Sequence, residues 1–156
     1  LWISIVGVLA VTAYAALAAM QILVWTPLAA VPGLTLDQIS GELSDAGESM
    51  SVAMTIAILG IGVVLALVVA VVAVRARAHP VVPAMSLLSL LVLGGPGFFI
   101  ASFGPGMALA DTFMISAGVT LSGVRPFYAV SALAAAALVV GGVVAVLRAR
   151  SAPAPA

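Results

Sequence analysis

The sequence predicts an all-α integral membrane protein: four transmembrane helices in an up-down bundle, with a short amphipathic helix in the first outer loop. Three observations carry this reading. Four apolar runs, Leu1–Trp25, Met50–Val74, Val81–Phe103 and Phe127–Leu147, are each 21 to 25 residues long. About 20 apolar residues in a helix span a hydrocarbon core of about 30 Å. All five arginines and all five acidic side chains fall outside those runs. Finally, the chain is 65% hydrophobic and 6% charged, against about 25% charged in a typical soluble domain.

At 156 residues the chain reads as one membrane domain over 1–156. Its spans are expected near 1–25, 48–74, 81–103 and 126–147. Outer loops take 26–47 and 104–125, an inner link takes 75–80, and an inner tail takes 148–156. Net charge is zero, so nucleic acid is not an expected partner. Without cysteine, thiol nucleophiles, disulfides and thiolate-held clusters are excluded. No cofactor is expected.

In the first span, Ala13-Tyr14-Ala15 resembles a small-x-small cleavage site. The apolar run continues to Trp25 with no basic stretch ahead of it, so it reads as a spanning helix rather than a leader. Trp2 and Trp25 bracket the run, about 35 Å apart along a helix, which suits one interface each. In the first outer loop, Pro32-Gly33 makes a turn, and Thr35-Leu36-Asp37-Gln38 has capping-box spacing. Leu36, Ile39 and Leu43 then recur on one face, predicting an amphipathic helix over 35–44. Asp45 and Glu48 offer a further cap, opening the second spanning helix near Ala46.

Orientation follows from arginine. Arg75 and Arg77 occupy the inner link beside His79, and Arg148 and Arg150 follow the last run, whereas the stretches that follow the first and third apolar runs, 26–49 and 104–126, hold every acid and only Arg125. Positive charge marks the cytoplasmic side. These four arginines therefore determine a multi-pass topology in the cell (plasma or inner) membrane, with both termini cytoplasmic. Arg125-Pro126-Phe127-Tyr128 then reads as an anchor at the outer end of the fourth span.

The breaks suggest a 2+2 parallel repeat. At an offset of 73 residues, Pro32-Gly33 meets Pro105-Gly106, Arg75-Ala76-Arg77 meets Arg148-Ala149-Arg150, and Pro80 meets Pro153. Two ordinary helical hairpins place turns and arginines at similar spacings, so the register alone does not separate duplication from coincidence.

The third span holds the one irregular feature, Gly94-Gly95-Pro96-Gly97. Pro96 cannot donate to the carbonyl of Val92, and the glycines remove local helix preference. A broken helix survives in lipid only against protein or a water-filled cavity, and broken helices build transporter sites. A plain proline kink is the simpler alternative. Gln21, the most polar residue of the first span, falls at the depth of Gly94 in the candidate repeat. It is expected to satisfy a freed backbone group or join a ligand site. Gln21, Gly94, Gly95, Pro96 and Gly97 are accordingly the candidate ligand or hinge site.

Asp111 and Arg125 share an outer loop and form a candidate ion pair. The acids Asp37, Glu42, Asp45 and Glu48 lack the alternation of a calcium loop, and no metal site is expected. The lone His79 lies on the opposite side from every acid, so no hydrolytic triad forms and no catalytic residue is assigned. Small-xxx-small steps, Ala15/Ala19, Ala66/Ala70, Ser131/Ala135 and Ala137/Gly141/Ala145, allow close helix approach.

Two functional readings follow. One is a non-enzymatic membrane protein acting by helix association, as an accessory or stabilising subunit of a membrane complex or a small homo-oligomer. Its partners would be the lipid bilayer and either a membrane protein or its own copies, met through small-residue helix faces. The alternative is a small transporter or pore for a neutral or hydrophobic solute, using the broken third helix.

Overall fold

Among the described residues, four helices are long and apolar enough to cross a bilayer, and together they make a multi-pass membrane bundle. In this computed structural model, residues 1–116 and 122–151 are described, and among them there is no strand. The helices are α1 (Trp2–Ala30), α2 (Leu36–Asp45), α3 (Val52–Arg75), α4 (Val81–Thr112) and α5 (Arg125–Ser151). α1, α3 and α4 pack against one another, and α5 lies principally along α4. Most large apolar side chains on the four long helices point outward, as lipid-facing surface must.

The short helix α2 forms where its sequence places it, and both its ends are capped. Thr35 Oγ1 accepts from the Gln38 N–H, and the Gln38 side chain accepts from the Thr35 N–H at 2.8 Å. At the other end, Gly47 takes the left-handed conformation, φ 78°. The Glu48 N–H bonds back to Leu43 O at 2.8 Å and the Gly47 N–H to Ser44 O at 3.0 Å. This double bond is a Schellman cap. Residues 46–48 are thereby used in ending α2. The expected cap from Asp45 and Glu48 does not form, and α3 begins later, at Val52, behind Ser51.

α4 departs most from expectation. The third span was expected to stop near Phe103, with Pro105-Gly106 turning the chain. Instead α4 runs unbroken for 32 residues, about 48 Å, with Pro96 and Pro105 both inside it. Gly94–Gly97 is therefore no interruption. Pro105-Gly106 is also not equivalent to Pro32-Gly33, where Gly33 does turn the chain at φ 95°. The outer turn of the candidate repeat is lost on this point, and its Pro153 lies outside the described residues.

The reason α4 continues is visible at Ala101. Pro105 has no N–H to give the Ala101 carbonyl, four residues back. Thr55 on α3, 1% exposed, donates its hydroxyl to that oxygen at 3.2 Å. The added length of α4 carries a small core of its own. Ile39 and Leu43 of α2 bury against Ala108 and Leu109, with Val31, Leu34, Met50 and Phe113 around them. α2 is thus docked on protein.

α1 also carries an irregularity that the sequence did not disclose. Gln21–Trp25 is a π-helical turn, and the Thr26 N–H reaches back to Gln21 O. Pro27 follows directly, so the wider turn sits where the proline removes a donor.

Candidate functional site

The residues singled out in the sequence do not converge on one site. Gly94 packs against Tyr14: a Cβ there would lie 2.9 Å from the ring atoms Cε1 and Cζ. Gly95 faces Ser131, whose Oγ would be 3.2 Å from such a Cβ. Pro96 is exposed, and Gly97 has open space at its Cβ position. The two leading glycines therefore let α1 and α5 approach α4 closely.

Gln21 is elsewhere. It lies seven residues beyond Tyr14 on α1, about 10 Å further along. It is buried at 4% exposure, and its Nε2 donates to Thr26 Oγ1 at 3.1 Å. Residues five apart stand about 140° apart around a regular α-helix. The extra residue of the π turn brings Gln21 and Thr26 to one side. Gly123 closes over the amide, so that a Cβ at Gly123 would come within 2.8 Å of Gln21 Oε1. Gln21 thus packs under the segment leading into α5, not against Gly94–Gly97.

The centre of the bundle is an aromatic cluster that sequence reasoning missed. Phe98 and Phe127 stack at 4.7 Å with nearly parallel rings, and Tyr14 meets Phe127 edge-on at 5.5 Å. Tyr128 meets Phe98 edge-on at 5.9 Å. The Tyr14 hydroxyl donates to Phe127 O at 3.4 Å, and the Ser131 hydroxyl donates to Leu91 O at 2.8 Å. Phe127 was expected to anchor at the interface, yet it is buried. The signal available in the sequence was its spacing to Ser131 and Ala134, which follow it on one face of α5 and are buried with it.

Beside this cluster, a cavity of about 180 Å³ lies among α1, α3 and α4. Tyr14, Leu59, Gly94 and Gly97 line it, with otherwise aliphatic neighbours. Neither Gln21 nor Pro96 reaches it. It is an apolar space with a single phenol at its wall.

Asp111 and Arg125 are not an ion pair. Asp111 is exposed on the last turn of α4 and Arg125 is exposed at the start of α5. The pairing assumed one loop over 104–125, and the continuation of α4 removes that premise. The arginines expected to set topology gather at one end of the helices. Arg75 closes α3, Arg77 follows it, and Arg148 and Arg150 lie in the last turn of α5.

Comparison with known protein families, with characterised proteins and with solved structures finds no match to this chain.

Proposed function

We propose that this protein works by helix association in the membrane, as an accessory or stabilising subunit of a larger complex or as a small homo-oligomer. One observation supports this above others: the polar side chains buried around the bundle centre are committed to the protein itself. Gln21 bonds Thr26, Thr55 bonds Ala101 O, Tyr14 bonds Phe127 O and Ser131 bonds Leu91 O. The last three join different helices, and in lipid such bonds hold helices together. The transport reading has less to work with, because α4 is continuous and the cavity at Gly94 is apolar.

The surface that would associate is the outer face of α5. Its inner stripe, Phe127, Ser131 and Ala134, is buried, whereas Leu133, Ala137 and Val140 are exposed. Single cysteines test this cleanly, since the native chain has none. In native membranes a cysteine replacing Ala137 is expected to crosslink to a partner or a second copy, and one replacing Ala134 is not. Absence of any crosslink along the exposed face counts against the proposal.

We also place both termini on the cytoplasmic side of the cell membrane, from the arginine distribution. Cysteines replacing Ser44 and Ala78 should then be labelled from opposite sides by an impermeant maleimide, and same-side labelling contradicts the threading.

A further inference from the structure

Where α1 begins and α3 stops, a polar cavity of about 320 Å³ opens, with Ser4 and Arg77 on its wall. A second cavity of about 330 Å³ lies between α1 and α3, reaches Val8 and Leu67, and shares Leu1, Ser4 and Val74 with the first. The first is polar-walled and the second is apolar, and the shared residues line both. From Val74 to Leu67 is two helical turns, about 10 Å.

Two groups at the mouth lack internal partners. Ser4 is 4% exposed and lines both cavities, yet makes no hydrogen bond to the described residues. A serine in a spanning helix ordinarily bonds back to its helix or across to a neighbour. Arg77 is exposed at the mouth and has no acidic partner. All five acids lie at the other end, on α2, on the loop that follows it and on the last turn of α4. The charge at this mouth, with Arg75 and His79 nearby in the chain, is uniformly basic.

We propose that the two cavities together bind one anionic phospholipid. The Arg77 guanidinium and the Ser4 hydroxyl receive the phosphate, and one acyl chain lies along the groove between α1 and α3. A guanidinium offers paired donors that match phosphate oxygens. Basic pockets between helices at the arginine-rich end of a membrane protein suit anionic headgroups. The groove decides for a lipid over free phosphate, because an inorganic ion would occupy the mouth alone.

The test is native mass spectrometry of the full chain, delipidated in mild detergent and titrated with phosphatidylglycerol or phosphatidylcholine of identical chains. The expected result is one retained phosphatidylglycerol, favoured about fivefold over phosphatidylcholine for one arginine contact. Arg77→Gly should abolish that preference, and the protein should still fold, since glycine is the usual residue at this helix end. Ala70→Phe, which fills the groove, should weaken retention of both lipids. Excess inorganic phosphate should not displace the bound lipid. Equal retention of the two lipids by the wild type, or a preference unchanged in Arg77→Gly, would overturn the proposal. So would retention unchanged in Ala70→Phe, or displacement by inorganic phosphate. Ser4→Ala, which leaves the helix end untouched, removes a contact to the phosphate that both lipids carry, so it should weaken retention of both while the preference for phosphatidylglycerol stays. Retention unchanged in Ser4→Ala would overturn the assigned phosphate contact.

Discussion

Thr55 on α3 donates its hydroxyl to the carbonyl of Ala101 on α4, the acceptor that Pro105 leaves without a helical donor. This bond explains how a proline-containing stretch stays helical inside the bundle. The unpaired carbonyl would otherwise sit in a site without water, where it costs free energy. Thr55 supplies the donor from a neighbouring helix.

Thr55→Val should therefore destabilise the protein by about 0.5–1.5 kcal/mol, the range for hydrogen bonds between membrane helices. In a Pro105→Ala background the restored N–H serves Ala101, and the same substitution should cost less. Equilibrium unfolding of the four proteins in detergent measures the coupling. Additive effects would remove the assigned link between the two residues.

Gly94 and Gly97 should behave oppositely although they are three residues apart. An added methyl at Gly94 meets the Tyr14 ring, so Gly94→Ala should lose about 1–3 kcal/mol. Gly97→Ala meets nothing and, inside a helix, should raise stability by about 0.5–1 kcal/mol. Thermal unfolding of the two variants decides the point, and a hinge requiring both glycines predicts equal losses.

The docking of α2 rests on Ile39 and Leu43, each 1% exposed. Ile39→Ala should weaken that contact by about 2–5 kcal/mol, the usual cost of emptying a buried aliphatic site. The readout is a cysteine replacing Ala108, which is 2% exposed beneath α2. Its reaction with a polar maleimide should be slow in the parent and faster once Ile39 is truncated.

Met114 ends α4 in the left-handed conformation at φ 54°, with the Ile115 N–H bonding back to Ala110 O at 2.9 Å. The side chain is 87% exposed, so it loses almost nothing when removed. Met114→Gly should raise stability by roughly 0.5–1 kcal/mol, because only glycine adopts this conformation without steric cost. A lowered melting temperature would argue against that geometry.

Much of the architecture is legible in the sequence because it is set by local chemistry. Apolar runs bounded by charge give the four spans, and Thr35 with Gln38 gives the start of α2. What escapes is supplied from another helix. Gly94–Gly97 and Pro105-Gly106 read locally as breaks, yet Tyr14 packs into Gly94 and Thr55 serves the Ala101 carbonyl. The candidate site dissolves for the same reason. Gln21 finds its partner in Thr26 through a π turn, and no α-helical periodicity places residues five apart on one side.

The central claim is that the bundle functions in association, and the mass of the protein extracted from its native membrane tests it most directly. In mild detergent, mass photometry or native mass spectrometry should show a stoichiometric complex, with either a second membrane protein or further copies of this chain. A single copy of the 15.4 kDa chain, alone under every mild condition tried, would contradict it.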